Sequence, residues 1–328
     1  MHKFTEIDLQ LFAEVQTTAD LSAEMKTFYD MTLIDEAASN LVHDQFGQKR
    51  PIPAGSGKVI EFRKFDSLPK ALTPLTEGVT PDGKRMEVNT VTAEVSQYGD
   101  FITQSDVLEL TAVDNTIVEA AKLLGRQAGQ TLDTVVRNIL HSGANVTYCP
   151  KVVDGVEEEV TSRDQLGKGC QLTVDVVHQV AAKLRAQNAP TINGKYIAII
   201  HPYVAYDLMR DPEWVDAYKY ANPKNLYEGE IGEIAGVRFV QTTEAMVYEG
   251  GIFGTLFFGD GAYGVTEITG GGLQTIVKQK GSAGSADPLD QRSSVGWKAI
   301  KTAKILVPNY LVRVESWSDR FSDTVKAN

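Results

Sequence analysis

The longest regular hydrophobic pattern in the chain lies between residues 116 and 143. Its apolar side chains recur at intervals of three and four residues, in the order Ile117, Ala121, Leu124, Ala128, Leu132, Val135 and Ile139. This spacing predicts one apolar stripe on an amphipathic helix of about 26 residues, roughly 39 Å long. Thr116 and Glu119 fit a capping box at its start, and Gly143 fits a C-terminal cap.

The other positions of this helix predict its surroundings. Gly125 and Gly129 form a GxxxG pair, which outside a membrane indicates close packing of a strand or helix. His141 stands near the C-terminus, where the helix dipole favours a cation. The charged residues along the helix are expected to form a solvated face, namely Lys122, Arg126, Asp133 and Arg137.

A strand pair with a long connection precedes the helix. Alternating apolar residues predict a strand over Val59–Phe65 and its partner within residues 86–102. The connection, 67–86, carries three prolines and two glycines. Connections longer than about 12–15 residues without structure are usually functional or disordered, and a two-stranded hairpin is marginal alone. We therefore expect this hairpin to lie on something else.

The rest of the chain predicts an arm at one end and a mixed α/β region at the other. Residues 1–50 interleave nine acidic residues with isolated apolar ones, which indicates an extended arm with short amphipathic helical pieces that a neighbour must cover. Residues 147–172 are expected to be loop-like. The predicted elements beyond them are a helix from Thr173 to about 188, a helix after His201, and strands at 196–200, 236–241, 255–258, 275–278, 295–307 and 310–315.

Composition and charge then exclude several classes of protein. The 328 residues, 42% apolar and 23% charged, suggest about two globular domains. The net charge of −11 disfavours a basic nucleic-acid binder, and no apolar run reaches the roughly 18 residues of a membrane span. Cys149 and Cys170 have no metal-like spacing, so we expect two reduced thiols.

The charge is also unevenly distributed. Residues 276–328 hold nine basic and five acidic residues, a balance of +4, which leaves −15 for the remainder. We hypothesise that segments of opposite sign meet between subunits, because such complementarity fixes register and partner choice. High salt should then slow assembly.

No constellation of residues predicts catalysis. Residues 259–264 fit GxGxxG, but strand and turn residues follow where a dinucleotide site needs a helix, so a glycine turn between strands is the preferred interpretation. Residues 55–58 fail the phosphate-loop pattern. The five histidines are scattered, and each is expected to be structural. We therefore expect no enzyme, and no catalytic, cofactor or metal site.

Several blocks of sequence, in this order, resemble tailed-phage major capsid proteins of the Hong Kong 97-type fold. They are QYGDFI at 97–102, SDVLELT at 105–111, LDTVVR at 132–137, HPYVAYDL at 201–208, GEIAGVRFV at 232–240, and DPLDQR at 287–292 running into VGWK at 295–298. The resemblance spans most of residues 97–315 and is greatest to the branch named after the coat protein of coliphage N-four.

The resemblance implies an α+β chain with an N-terminal arm, an extended hairpin loop, a long spine helix, and peripheral and axial domains. The implied boundaries are 1–50 for the arm, 51–100 for the loop, 101–145 with 291–328 for the peripheral domain, and 146–290 for the axial domain. Some relatives cross-link a loop lysine, but that motif is not matched here. Lys64, Lys70, Lys84 and Arg85 are therefore candidates for inter-subunit contact only.

The implied function is a major capsid protein whose hexamers and pentamers enclose double-stranded DNA without sequence-specific binding. The implied partners are other copies of the chain, a separate scaffold protein, a portal and decoration proteins, with assembly in the bacterial cytoplasm and no membrane. Two alternatives stay open. One is an α/β enzyme that binds a nucleotide at 259–264, and the other is a non-viral compartment shell of the same fold.

Overall fold

The computed structural model describes residues 31, 33–37, 40–53, 55, 57–65, 68, 70–74, 77–78, 80, 82–86, 88–111, 116–153, 156–215, 232–281 and 288–328. Most of the predicted arm, including its first apolar residues, lies outside them.

The described residues form both helices and strands. The helices are Asp106–Thr111, the long helix Thr116–His141, Val174–Ala186 and Pro202–Met209, with short 3₁₀ turns at Arg163–Gln165 and Pro308–Tyr310. The strands are β1 Gln48–Lys49, β2 Val59–Phe65, β3 Val88–Glu94, β4 Ser96–Ser105, β5 Val146–Tyr148, β6 Lys151–Val153, β7 Val156–Glu158, β8 Tyr196–Ile200, β9 Glu233–Ile234, β10 Val237–Gln241, β11 Val247–Tyr248, β12 Ile252–Phe258, β13 Tyr263–Glu267, β14 Gln274–Lys278, β15 Arg292–Ile305 and β16 Leu311–Trp317.

The long helix has the bounds that its periodicity predicts. Ala121, Leu124, Ala128 and Leu132 are buried as expected, and the buried face continues through Val136. An added Cβ at Gly125 would lie 2.6 Å from the carbonyl oxygen of Leu33, in a helical turn over residues 33–37. The predicted close packing at this glycine is therefore confirmed.

Backbone contacts divide the chain into two compact units. Unit 1 takes its described residues from 31–37, 99–129 and 273–298, and unit 2 takes the rest. In unit 1, β14 runs antiparallel to the first half of β15, with Gln274 opposite Lys298 and Lys278 opposite Ser294. Strand β4 also pairs with β15. The result is a small sheet beside the first half of the long helix.

Unit 2 is organised around a seven-stranded mixed sheet in the order β5-β16-β12-β8-β10-β9, with β11 on β12. Strands β8 and β12 are buried along their whole length, as expected where both faces of a sheet are covered. The helix Val174–Ala186 is capped by the Thr173 hydroxyl, which accepts from the amide of Val176. Its buried valines and Leu184 join the core on one side of this sheet.

Residues 40–50 are fastened to unit 2 by pairing and polar contacts. Strand β1 runs parallel to β13, with Gln48 opposite Gly264. The Tyr263 hydroxyl donates to the carbonyl oxygen of His43 at 2.5 Å, and Lys301 lies 3.0 Å from the carboxylate of Asp44. This segment is therefore built into the unit beside the second half of the long helix.

The predicted solvated face of the long helix is wrong at two of its four positions. Asp133 is 0% exposed. Its Oδ1 accepts from the amides of Val42 (2.8 Å) and His43 (2.7 Å), and its Oδ2 lies 2.7 Å from His43 Nδ1. Arg137 is also buried and donates to the carbonyl oxygen of Glu244 at 2.9 Å. Neighbouring segments distant in sequence cover this side of the helix.

The structure also tests the predictions for residues 147–172 and for the turn at 259–264. Residues 147–172 are only partly loop, because β5 joins the central sheet and β6 and β7 form a small hairpin with Lys151 opposite Glu158. The glycine turn at 259–264 is confirmed, since β12 ends at Phe258 and β13 begins at Tyr263. An added Cβ at Gly259 would lie 2.3 Å from the carbonyl oxygen of Pro190, so packing requires that glycine.

Replacing Asp133 by alanine should lower the free energy of unfolding by about 3–5 kcal/mol, because it leaves two amides and a histidine without their buried acceptor. Chemical denaturation of the unassembled subunit, followed by tryptophan fluorescence, measures this. Asp164→Ala, at an exposed position, is the matched control and should change stability by less than about 0.5 kcal/mol. Equal stability of the two variants would contradict the buried role of Asp133.

Candidate subunit-contact surfaces

The β2–β3 hairpin is anchored to unit 2 on one of its faces. The strands pair antiparallel from Val59 opposite Glu94 to Phe65 opposite Val88. On one face, Phe62 is 2% exposed, and an added Cβ at Gly264 would lie 2.5 Å from its ring. The absence of a side chain on this glycine lets the phenylalanine ring lie against the backbone of β13. The close packing of the Phe62 ring on Gly264 thus anchors the hairpin to unit 2.

The remainder of the hairpin exposes apolar side chains that nothing in the described chain covers. Leu72 is 83% exposed and Met86 is 70% exposed. Val59, Leu68 and Val88 are exposed as well. Several exposed apolar side chains on one element are typical of a protein interface. The predicted strands and their pairing are confirmed, and the exposure agrees with a loop that lies on a neighbour.

The four contact candidates all fall on this hairpin and its connection. Lys64 belongs to β2, where its backbone lies opposite Asn89. Lys70, Lys84 and Arg85 are exposed residues of the connection between the strands. Their part in subunit contact stays a prediction.

A second exposed apolar surface lies in unit 1, where β4 and β14 flank β15. A groove of about 350 Å³ is lined by Phe101, Ile276 and Trp297. Phe101 is 67% exposed. An added Cβ at Gly296 would lie 2.7 Å from the Phe101 side chain, so glycine permits the strands to approach closely here.

The long helix positions this groove through one glutamine. Gln127 donates to Asp100 Oδ2 at 2.7 Å and accepts from the Trp297 indole nitrogen at 3.3 Å. The bond from Gln127, together with one from the Phe101 amide, lowers the pKa of Asp100. Further exposed apolar side chains of unit 1 are Val107, Leu108, Leu123 and Leu289.

Unit 2 contains an ionic cluster around the buried carboxylate of Glu315. Glu315 is 0% exposed, and Arg163 binds it with two bonds of 2.6 Å each. Arg313 Nε lies 2.9 Å from the same carboxylate, and the Arg163 guanidinium lies 3.7 Å above the Tyr248 ring. A bidentate arginine–carboxylate pair is strong and directional, so β16 and the turn at Arg163 are held in one geometry.

His141 belongs to this cluster as a neutral ring. Burial, together with the surrounding cations, lowers its pKa well below the ordinary value, and its Nδ1 lies 2.9 Å from the Tyr248 hydroxyl. Burial also raises the pKa of Tyr248 to about 12. Arg313 donates to the backbone carbonyls of His141 and Gly143. The cation at the helix C-terminus is therefore Arg313, and the expectation that His141 fills this role is wrong.

His201 is a structural histidine, as expected. It caps the helix Pro202–Met209 by accepting from the Tyr203 amide at 3.2 Å through Nδ1. Its ring centroid lies 4.9 Å from those of Tyr203 and Phe253. Burial lowers the pKa of His201 to about 4, which keeps the capping nitrogen free to accept a hydrogen bond at neutral pH.

Sequence reasoning missed the buried charges of unit 2. Glu315 and Arg313 interrupt an otherwise apolar strand, and that interruption was the available signal. Nothing local marks Arg163 as their partner, because 152 residues separate it from Glu315.

The described ranges contain no candidate metal site and no candidate membrane-spanning helix. Across these residues, no group of three or more His, Cys, Asp or Glu side chains is placed to hold a metal ion. No helix among them combines the length and apolar character needed to cross a membrane.

Comparison with known families gives a match over more than half of the chain. The family described as phage capsid protein matches residues 48–256, which is more than half of the chain. No curated protein matches the chain in sequence.

Comparison with solved structures gives the fold. The capsid of cyanophage Pam1 superposes with a TM-score of 0.64 at 12% identity, over 87% of this chain and 92% of that one. The capsid of Ralstonia phage GP4 gives 0.62 at 14% identity, over 85% and 89%. A virus-like particle from Pyrococcus furiosus gives 0.51 at 14% identity, over 89% and 99%. The predicted Hong Kong 97-type fold is confirmed.

Acidification should weaken the subunit partly through His201. Its pKa is about 4 when folded and about 6.5 when unfolded, so between these values the unfolded state binds the extra proton and stability falls as pH falls. Replacing His201 by asparagine keeps a capping oxygen and should reduce the loss between pH 7 and pH 4 by about 2 kcal/mol.

Urea denaturation at each pH measures this difference. His178→Asn, at an exposed histidine, is the matched control for replacing an imidazole that does not cap this helix. An unchanged pH dependence in the His201 variant would show that this ring is protonated without cost in the folded subunit.

Proposed function

The chain belongs to the phage capsid protein family, and we propose that its copies form the hexamers and pentamers of an icosahedral shell around the double-stranded DNA of a tailed phage. The observation that carries this proposal is the β2–β3 hairpin, which is anchored at Phe62 and exposes Leu72 and Met86 beyond it. Exposed apolar surface of this kind is buried when subunits interlock.

The finer organisation follows the resemblance. We assign residues 1–50 to an arm, of which residues 40–50 pack against their own subunit. Residues 51–100 are assigned to the interlocking loop, 101–145 with 291–328 to a peripheral domain, and 146–290 to an axial domain. The net charge of −11 is consistent with a shell that encloses DNA without binding it tightly. Tight binding to DNA phosphates requires clusters of cationic side chains.

The proposed partners beyond other copies of the chain are a scaffold protein, a portal and decoration proteins, with assembly in the cytoplasm of the bacterial host. We also propose that the chain is related to the coat protein of coliphage N-four. Lys64, Lys70, Lys84 and Arg85 are proposed to contact the neighbouring subunit. The function requires no catalytic residue.

A second candidate is a compartment shell that encloses protein, and the structural likeness to the virus-like particle from Pyrococcus furiosus favours it. Purified particles treated with nuclease distinguish the two contents. Protected double-stranded DNA in particles from infected cells supports the viral shell, whereas particles that hold a defined protein and no DNA support the compartment.

Replacing residues 67–86 with an Asn-Gly turn should give folded subunits that form no shells, since the turn closes a two-residue hairpin while the exposed apolar tip is lost. Gradient sedimentation and negative-stain microscopy measure shell formation beside the unaltered chain. An unchanged circular dichroism spectrum shows that the subunit still folds. Normal shells from this variant would refute the interlocking role of the hairpin.

The double variant Leu72→Ser with Met86→Ser distinguishes the contribution of the apolar side chains from that of the length of the connection. It keeps the length of the connection and removes two apolar side chains that are exposed in the single chain. Reduced shell yield is expected because apolar area buried at the contact is lost. A normal yield would show that these two side chains do not contribute.

A further inference from the structure

Two exposed arginines of unit 2 converge on a single tyrosine hydroxyl. Tyr206 lies on the helix Pro202–Met209, and Arg210 follows that helix as its C-cap. Arg210 Nη1 donates to Tyr206 Oη at 2.9 Å, and Arg320 Nη1 reaches the same oxygen at 3.5 Å. Each guanidinium carbon lies 5.7 Å from the Tyr206 ring centroid.

Aromatic stacking fixes this arrangement. The Phe321 ring stacks on Tyr203 with centroids 4.1 Å apart and an angle of 11° between planes. It meets Tyr206 edge-on at 5.7 Å. Because Phe321 follows Arg320 directly in the chain, the stack holds the backbone of Arg320 beside Tyr206. The arginine pair is thus positioned by packing instead of being free on the surface.

The two arginines present N–H donors beside the carboxylates of Asp207 and Asp319. The Tyr206 oxygen accepts from both guanidinium groups, so its own proton points away from them. Each guanidinium has five N–H donors and no acceptor, and the described residues show one side-chain acceptor for the two groups, Tyr206 Oη. The bond from Arg210 lowers the pKa of Tyr206, as expected where an oxygen faces positive charge. Such a cluster suits an anionic oxygen ligand.

The surrounding charges favour a carboxylate over the phosphates of DNA. Asp207 and Asp319 flank the two arginines, so the local charge of two cations is offset by two carboxylates. Asp319 also accepts from the Gly169 amide at 2.9 Å. Affinity for DNA comes from clusters of uncompensated cations, which this site does not have. A single bidentate carboxylate matches arginine geometry.

The same unit exposes carboxylates that lack a partner among the described residues. Glu157, in β7, and Glu159, just beyond it, are both exposed. Their spacing of two places them on the same side of an extended segment. Both line a groove of about 570 Å³ together with Thr147, Tyr148 and Gln179. No ion pair to either glutamate occurs within the part of the chain that the structure describes.

We propose that Arg210 and Arg320 of one copy bind Glu157 and Glu159 of the adjacent copy around the centre of a capsomer. Two different patches that meet in this way form a heterologous contact, which closes a ring when the rotation between copies closes. The inference rests on the proposed shell function, and of its two arginines only Arg320 belongs to the basic segment 276–328. The aromatic stack orients the arginines, and the acidic groove receives them.

A charge-swap experiment on the full chain tests the contact. One variant carries Arg210→Glu and Arg320→Glu, a second carries Glu157→Arg and Glu159→Arg, and a third combines all four changes. The first two should each lower the yield of assembled particles by about tenfold through lost coupling. The combined variant should recover most of the yield. Lys168→Glu and Glu249→Lys, at exposed positions, are the controls and should assemble normally.

The outcomes separate this contact from the shell function. Particles from the unaltered chain with no loss in either double variant would overturn the contact and leave the shell function intact. Loss in both without recovery in the combined variant would also overturn it. Normal assembly of the arginine variant with less DNA inside would show that the arginines bind DNA instead. Absence of particles from the unaltered chain under all conditions would refute the shell function itself.

Discussion

The structure depends on one constraint, which is that the β2–β3 hairpin cannot bury its own apolar surface. Two strands supply one face for packing, and Phe62 uses that face against Gly264. Leu72 and Met86 remain exposed in the single chain. A two-stranded sheet is marginal in water without a partner surface. In the proposed shell, a neighbouring subunit would supply that partner surface.

Interlocking of this kind requires a rigid body at the base of each hairpin, and buried polar contacts provide that rigidity in unit 2. Asp133 fixes residues 42–43 to the second half of the long helix. Glu315, held by Arg163 and Arg313, fixes β16. Such groups stabilise less than their short distances suggest, because desolvation offsets much of the attraction. Their directional bonds nevertheless specify one geometry, which a repeating shell needs in every copy.

The sequence predicts the local elements and misses the contacts that long separations create. The long helix, the hairpin pairing and the glycine turn at 259–264 follow from periodicity and from residues close in the chain. The burial of Asp133 does not, because its partner His43 lies 90 residues away. Arg313 replaces His141 at the helix end for the same reason, since 172 residues separate them. The periodicity of a helix shows which face is apolar. It does not show where a distant segment will cover polar residues at the edge of that face.

A cryo-electron microscopy reconstruction of particles formed by the unaltered chain tests the account most directly. If the chain forms the proposed shell, the reconstruction will show closed shells of hexamers and pentamers. Residues 67–86 of each subunit will lie on a neighbouring subunit, with Leu72 and Met86 buried between them. Particles in which this segment folds back onto its own subunit, or preparations that contain only small discrete oligomers even with a scaffold protein, would contradict it.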